Sequence, residues 1–508
     1  MLRNIGLDNF KGFCNLSGLN IKPITILAGM NSCGKSSILQ SILLLKQSLE
    51  NQDPYKTFLL NGRFVHLGSF KNAIYGRNED SIVSFDFTFA LPKNIARSPT
   101  TIRGGRMPLY FIIRDLLPTA EGRDKWKTIN IRFRVSLQGS EKGELDYLRP
   151  IIVSSLQVSS ILEDSEGNQF DKSEVTFSRV KKNEYSVTWH KLLNRNSRVG
   201  SELPLSGRMI GNINFSNLLP MRASIQEDKE ETRIIMEPIM YARLIGNILR
   251  QIFDTYTYLG PLREYPARRY IYEDEVVEIG IKGENAAYIY YAEQDREIKE
   301  HYFYEYVSDK FIFVDNMNLQ QSVQKWLDLM GIKGFNPEAL NEVISLNMKA
   351  SLFNDTKVSI ADVGFGISQI FPIILEGLRI PKGSTLLLEQ PEIHLHPNLQ
   401  MQMADYFIGL ALSGKNIIAE THSDHVINRL VRRIIQDKEY NLVDKIGIYF
   451  ISQTENGSEI QEIKIDDKRG IVNWPKDFFD QTATEQELII RAGIEKRKAG
   501  IMKEAMDK

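Results

Sequence analysis

The chain has 508 residues, with 63 Lys+Arg against 64 Asp+Glu and a formal net charge of −1, enough for about two to four domains at ~150 residues each. With 42% hydrophobic and 25% charged residues, it has the composition of globular protein, which disfavours long disorder and collagen-like repeats. The near-neutral balance also argues against a polyanion binder coated in positive charge, so any nucleic-acid contact has to come from local patches.

Only two cysteines occur, Cys14 and Cys33, and neither sits in a CxxC pair, which favours a reducing compartment. The N-terminus lacks the long apolar stretch of a secretory signal, and runs such as Ile42 to Leu45 are too short to span a bilayer. A cytoplasmic location and no membrane contact are therefore expected.

In chain order, the first informative segment is the apolar run Ile24 to Ala28, followed by Gly29-Met30-Asn31-Ser32-Cys33-Gly34-Lys35-Ser36, a match to G-x-x-x-x-G-K-[ST]. Ser37 to Lys46 then reads as a buried helix. Strand, loop and helix fall in the order a P-loop requires. Glycines let backbone N–H groups approach phosphate oxygens, the helix N-terminus adds positive potential, Lys35 reaches the β and γ phosphates, and Ser36 ligates Mg²⁺. A nucleotide with Mg²⁺ is the expected ligand of this loop.

Beyond it the pattern changes to period two. Val83, Phe85, Phe87 and Phe89 alternate with polar residues, as do Ile129 to Leu137 and Tyr185, Val187 and Trp189, which predicts half-buried antiparallel strands. From about 233 to 259 and from 320 to 331 the apolar spacing turns helical, punctuated by Tyr258-Leu259-Gly260-Pro261-Leu262-Arg263. No sustained heptads predict a coiled-coil arm. Arg263, Arg268 and Arg269 among Tyr265, Tyr270 and Tyr272, and Arg429, Arg432 and Arg433 further on, make a possible nucleic-acid face. Solvated or salt-bridged arginines explain the same clusters equally well.

Ser384 to Glu389 reads as a short buried strand ending in a carboxylate, a Walker B candidate that would hold Mg²⁺ with Ser36. Asn416 to Glu420 is a second parallel-strand candidate, and it leads into Thr421-His422-Ser423, where His422 reads equally well as a γ-phosphate sensor at a strand end or as a hydrogen-bonded loop residue. His394, His396, His422 and His425 are four of the seven histidines. A zinc set built from them is disfavoured, because no cysteine lies near enough to complete a typical structural site.

Together Asn9-Phe10-Lys11, the P-loop, Asp362-Val363-Gly364-Phe365-Gly366-Ile367-Ser368-Gln369, Glu389-Gln390-Pro391-Glu392-Ile393-His394-Leu395-His396-Pro397 and Thr421-His422-Ser423 resemble the ordered motifs of ABC-type ATPases of the OLD, SMC-like and Septu (PtuA-like) group. The likeness is greatest to its prokaryotic branch with the E-Q-P-E-I-H-L-H-P box, and Trp474 to Gln481 resembles a short C-terminal element of that branch. The resemblance implies an α/β P-loop fold of ABC-ATPase type, with an antiparallel β lobe and a helical insertion between the Walker A and Walker B halves. The expected divisions are 1–80 for the Walker A half, 81–200 for the β lobe, 201–345 for a mostly helical insertion, 346–455 for the second ATPase half, and 456–508 for the C-terminal element and basic tail.

The resemblance further implies that Lys11, Gly29, Asn31, Ser32, Cys33, Gly34, Lys35, Ser36 and Ser37 hold ATP in one subunit while Gly364, Gly366 and Ser368 close over it from another, in a head-to-tail homodimer or higher oligomer. The usual signature has a serine before its glycines, whereas here Ser368 follows them. Glu389, Gln390, Glu392 and His422 make up the catalytic set. Gln390 stands where a glutamate commonly polarises water, and an amide cannot accept a proton as a carboxylate does, so slow hydrolysis is expected. Either Glu392 takes over as base, or the site holds ATP and reports it. No strand-end glutamate followed by a D-x-D pair is found, so a nuclease of its own is not expected. By the same resemblance, an HNH-type effector nuclease in a separate subunit, DNA as a possible contact, and an anti-phage role are implied. The alternatives are an autonomous OLD-like DNA-processing enzyme or DNA-repair ATPase, and last an ABC transporter motor.

Overall fold

The computed structural model describes residues 1–53, 55–93, 125–139, 150–192, 206–224, 229–271, 278–351, 354–466, 468–475 and 481–506. Two large sheets organise it. One has six strands in the order Tyr256–Leu259, Thr385–Glu389, Asn416–Thr421, Ile24–Gly29, Ile446–Thr454 and Gly457–Glu462, all parallel except the last. These strands are short apolar runs because both faces are covered. Leu27, Leu387, Ile418 and Ile451 point into one core, and Ile26, Leu386, Leu388, Ile417 and Ala419 point into the other. That is the period-two geometry of a strand buried on both sides.

The second sheet has nine antiparallel strands, running from Leu219–Ser224 through Ser206–Ser216, Glu184–His190, Gln169–Lys181, Ile151–Glu163, Thr128–Gly139 and Val83–Pro92 to Leu2–Phe10 and Phe13–Asn20. Its inward residues, among them Phe85, Phe87, Phe89, Ile131, Phe133 and Val135, share one core with the helix Lys35–Glu50 and the helix Lys229–Phe253. The alternation seen in the sequence therefore marks one buried face of this sheet. The N-terminal hairpin joins this lobe, although its chain continues directly into the P-loop strand.

On the other face of the parallel sheet lie the helices Leu319–Leu329, Gly366–Arg379, Pro397–Leu412 and Asp424–Gln436. Among its described residues the segment 201–345 combines three α-helices with strands, including the hairpin His301–Glu305 with Lys310–Val314. Tyr256–Leu259, anticipated as part of a helix and its stop signal, is instead an edge strand paired with Thr385–Leu388. A four-residue strand cannot be told from a helix end by periodicity alone. Among the described residues no helix is long and apolar enough to cross a membrane. Tyr272 and residues 476–480 of the C-terminal element lie outside the described residues.

Candidate functional site

The parallel sheet places three chain ends side by side. Glu389 pairs with Glu420, Glu420 pairs with Leu27, and Thr421 pairs with Ala28, one residue before the P-loop glycine Gly29. The P-loop and both carboxylates thus lie at the carboxyl edge of the sheet, where open α/β sheets bind ligands.

The loop conformation explains its residue types. Gly29 has φ +149°, and a Cβ there would lie 2.2 Å from the Ile451 carbonyl oxygen. Gly34 caps the helix at φ +103°, and its Cβ would meet Ser458 Oγ at 2.8 Å. Only glycine fits either position. Ser32 adopts φ +62°. Lys35 is buried, its ammonium donating to the carbonyls of Gly29 at 3.0 Å and Met30 at 2.6 Å. Cys33 is buried beside it, and burial pushes its thiol up from the usual range.

A cavity of about 680 Å³ opens at this loop, lined by Lys11, Ser32, Gly34, Lys35, Ser36 and Ser37 together with Gln40, Asn72, Arg77 and Glu420. The last four were not anticipated. Gln40 sits one helical turn after Ser36 and accepts from the Lys11 ammonium at 2.5 Å, so a same-face count along the helix would have found it. Asn72 and Arg77 come from short 3₁₀ turns tied to the N-terminal hairpin through Lys11 N–H to the Ala73 carbonyl; no sequence motif announces them.

Glu420 lines the P-loop cavity together with Ser36, and burial, followed by neighbouring Glu389, raises its carboxyl to about 7. Its Oε2 is buried without a partner. Glu389 accepts from the Tyr258 hydroxyl at 2.9 Å; burial raises its carboxyl, against the lowering pull of Tyr258 and Lys11. A hydroxyl beside buried carboxylates is the oxygen donor set of a hard divalent cation, and a buried carboxylate oxygen with no protein partner fits such a ligand.

The E-Q-P-E-I-H-L-H-P box has a local physical account. Gln390 turns the chain at φ +43°, with its N–H on the Glu420 carbonyl at 2.8 Å. Arg263 donates to the carbonyls of Glu389 at 3.0 Å and Gln390 at 3.2 Å. Glu392 accepts from the His422 N–H at 2.6 Å and so anchors the histidine loop. His394 packs edge-on against Phe365 at 4.9 Å, while its carbonyl would lie 2.9 Å from a Cβ on Gly366. His396 caps the helix that starts at Pro397, a position where a missing N–H costs nothing. Burial, then Lys35, holds the His422 imidazole below its ordinary range. Among the described residues no group of three or more His, Cys, Asp or Glu is arranged to hold a metal by that count.

Gly364 and Gly366 do not line the P-loop cavity of their own chain. The helix Gly366–Arg379 starts there, a Cβ on Gly364 would meet open space, and the Ser368 hydroxyl is turned back onto the Phe365 carbonyl at 2.7 Å. Of the two readings of the arginine clusters, several members take the salt-bridged or buried one, while Arg268, Arg269 and Arg432 stay exposed. Arg263 is 2% exposed under the carboxylate turn, where burial lowers its guanidinium to about 10. Arg433 and Arg429 pair with buried Asp405, and Arg268 pairs with Asp362. Helical and local spacing grouped these arginines, but it could not show which way they point.

A family model described as AAA ATPase domain matches residues 1–427, and a model described as a protein of unknown function (DUF3696) matches residues 443–488. Among curated proteins none matches. Solved structures similar to the chain include an SMC head domain from Thermotoga maritima, at 11% identity and TM-score 0.35, covering 91% of this chain and 99% of that one. An Smc head domain with an extended coiled coil, bound to the C-terminal domain of ScpA and derived from Pyrococcus furiosus, matches at 9% identity and TM-score 0.34, covering 96% and 99%. An SmcHead bound to the C-winged helix domain of ScpA matches at 11% identity and TM-score 0.40, covering 92% and 98%.

Proposed function

The chain belongs to the AAA ATPase domain family, and from that premise we propose that it binds ATP with Mg²⁺ at the P-loop cavity, hydrolyses it slowly, and closes head to tail with a second copy. The observation that carries this reading is the convergence of Lys35, Ser36, Glu389 and Glu420 at one sheet edge beside an open cavity. P-loop amides and the helix N-terminus bind the phosphates. Lys35 leaves the Gly29 and Met30 carbonyls for the β and γ phosphates, and Lys11, Gln40 and Arg77 border the same space. Mg²⁺, when bound, supplies charge neutralisation for the phosphates, with Ser36 and the strand-end carboxylates as its protein oxygens.

Gln390 orients water without taking its proton, which is the basis for slow turnover. Glu392 is committed through one oxygen to the His422 amide, so its second role is to hold the histidine loop against the Walker B turn. The head-to-tail arrangement is supported by Gly364 and Gly366 opening the helix Gly366–Arg379 away from the cavity of their own chain. The N-terminus of that helix carries positive potential suited to a partner's γ-phosphate.

Downstream of ATP, the reading is control of a separate HNH-type effector nuclease in bacterial anti-phage defence, supported by the Septu-like E-Q-P-E-I-H-L-H-P box. Lys35→Ala tests the core of the proposal. ATP binding measured by calorimetry should weaken by about 100-fold or more, roughly 2.7 kcal/mol; unchanged affinity would refute the P-loop assignment. A pull-down from the native host with and without ATP tests the effector, and the expected result is ATP-dependent capture of a nuclease subunit.

A further inference from the structure

We propose that Arg263 is a positioning residue for hydrolysis: its guanidinium fixes the turn from which Gln390 orients the attacking water, and its backbone ties that turn to the helix Gly366–Arg379. The inference rests on the nucleotide reading above and adds a residue to it.

The turn needs a holder. Gln390 sits at φ +43°, in the left-handed region that a residue with a Cβ keeps only where its surroundings enforce it. Its N–H is held by the Glu420 carbonyl at 2.8 Å. The peptide planes on the two sides of its Cα end in the Glu389 and Gln390 carbonyls, and Arg263 donates to both, Nη2 to the first at 3.0 Å and Nη1 to the second at 3.2 Å. One rigid planar group therefore grips both planes. Since each peptide is itself planar, holding the two of them sets φ and ψ of Gln390 and so the direction in which its side chain leaves the backbone.

Arg263 is held in turn. The edge strand Tyr256–Leu259 runs into this segment, where the Gly260 and Glu264 N–H groups donate to the carbonyls of Ile281 at 2.8 Å and Lys282 at 2.9 Å. The Arg263 N–H donates to Gln369 Oε1 at 3.3 Å, and Gln369 is fully buried in the first turn of the helix Gly366–Arg379. The choice of residue also points to geometry rather than packing. Arg263 is buried, and its Nε is a donor without a partner. An apolar side chain of similar size would fill this space without burying a charge. A lysine would carry the charge but not the fork that meets two carbonyls at once.

A double-mutant cycle on the full chain tests the assignment. Phosphate release at saturating ATP, and ATP affinity and stoichiometry by calorimetry, are measured for wild type, Arg263→Lys, Gln390→Ala and the double variant. Arg263→Lys should lower kcat per bound nucleotide about tenfold or more, with ATP affinity within about threefold of wild type. Gln390→Ala should also lower kcat, and the double variant should stay within about threefold of the slower single one, because both changes disable the same turn. A merely structural arginine would instead reduce the fraction of chains that bind ATP, leave kcat per bound nucleotide unchanged, and give losses that multiply. If Arg263→Lys is not recovered folded, the same cycle with Arg263→Gln decides the matter. The inference is overturned if kcat per bound nucleotide is unchanged in the arginine variant, if ATP affinity falls as far as kcat, if Gln390→Ala is as fast as wild type, or if the two losses multiply. A wild-type chain that binds no ATP, or binds it without releasing phosphate, would bring down the proposed function itself and this inference with it.

Discussion

The two sheets of this molecule use hydrophobic residues in opposite ways. In the nine-stranded antiparallel sheet, alternate residues such as Phe85, Phe87 and Phe89 are buried in one core, and the polar residues between them face outward. In the parallel sheet nearly every residue of Ile24–Gly29 and Asn416–Thr421 is buried, and polar groups concentrate at the strand ends. The first arrangement spends the whole strand on packing. The second is a rigid platform whose carboxyl edge is the one place where Lys35, Glu389 and Glu420 can meet, because a helix or loop follows each strand there.

The largest effect that would sharpen this contrast is a cavity in the antiparallel lobe. Phe133 is fully buried in the core it shares with the P-loop helix, and Phe133→Ala should cost about 3–5 kcal/mol of stability. Chemical denaturation should show that loss, while ATP affinity per folded molecule stays at the wild-type value; a comparable fall in affinity would mean that the lobe forms part of the site. Next comes the platform edge, where Gln390→Glu restores a proton acceptor. Steady-state phosphate release should rise about tenfold or more. An unchanged rate would move the water-activating role away from the Gln390 turn.

The smallest effect concerns the helical face of the platform. Lys415 is buried with its ammonium on the carbonyls of Gly377 and Leu378, and burial pushes it down to about 7. An unfolded chain keeps that lysine protonated up to its ordinary range, so above roughly pH 7 the unfolded state binds more protons and stability rises with pH. Between roughly pH 7 and pH 8 the gain is about 1 kcal/mol. Thermal melting of the apo chain should therefore rise over that interval, and Lys415→Met should flatten the rise relative to wild type. An identical slope in the variant would remove Lys415 as its source.

Much of the parallel platform was legible in advance because its signals are local. Gly29 and Gly34 are required by left-handed backbone and close approach, and the strand before them is a plain apolar run. The alternation at Ile129 to Leu137 likewise names a strand without any partner being known. The arginine clusters were not legible in the same way. Arg263 and Arg433 share sequence neighbourhoods with exposed residues, yet they turn inward to the Glu389 turn and to Asp405. Linear spacing carries no information about a partner on another element, whether 126 residues away as for Arg263 and Glu389 or 28 as for Arg433 and Asp405.

The amino-acid sequence alone determined the P-loop, the period-two lobe and the carboxylate that ends Thr385–Glu389, since each depends on contacts within a few residues. Only the tertiary structure decided that Asn416–Thr421 would lie between that strand and the P-loop, bringing Glu420 into the lining of the P-loop cavity with Ser36. Strand order in a parallel sheet is set by which helices pack on its two faces. That choice is made by the whole core at once and leaves no mark in any single stretch of residues.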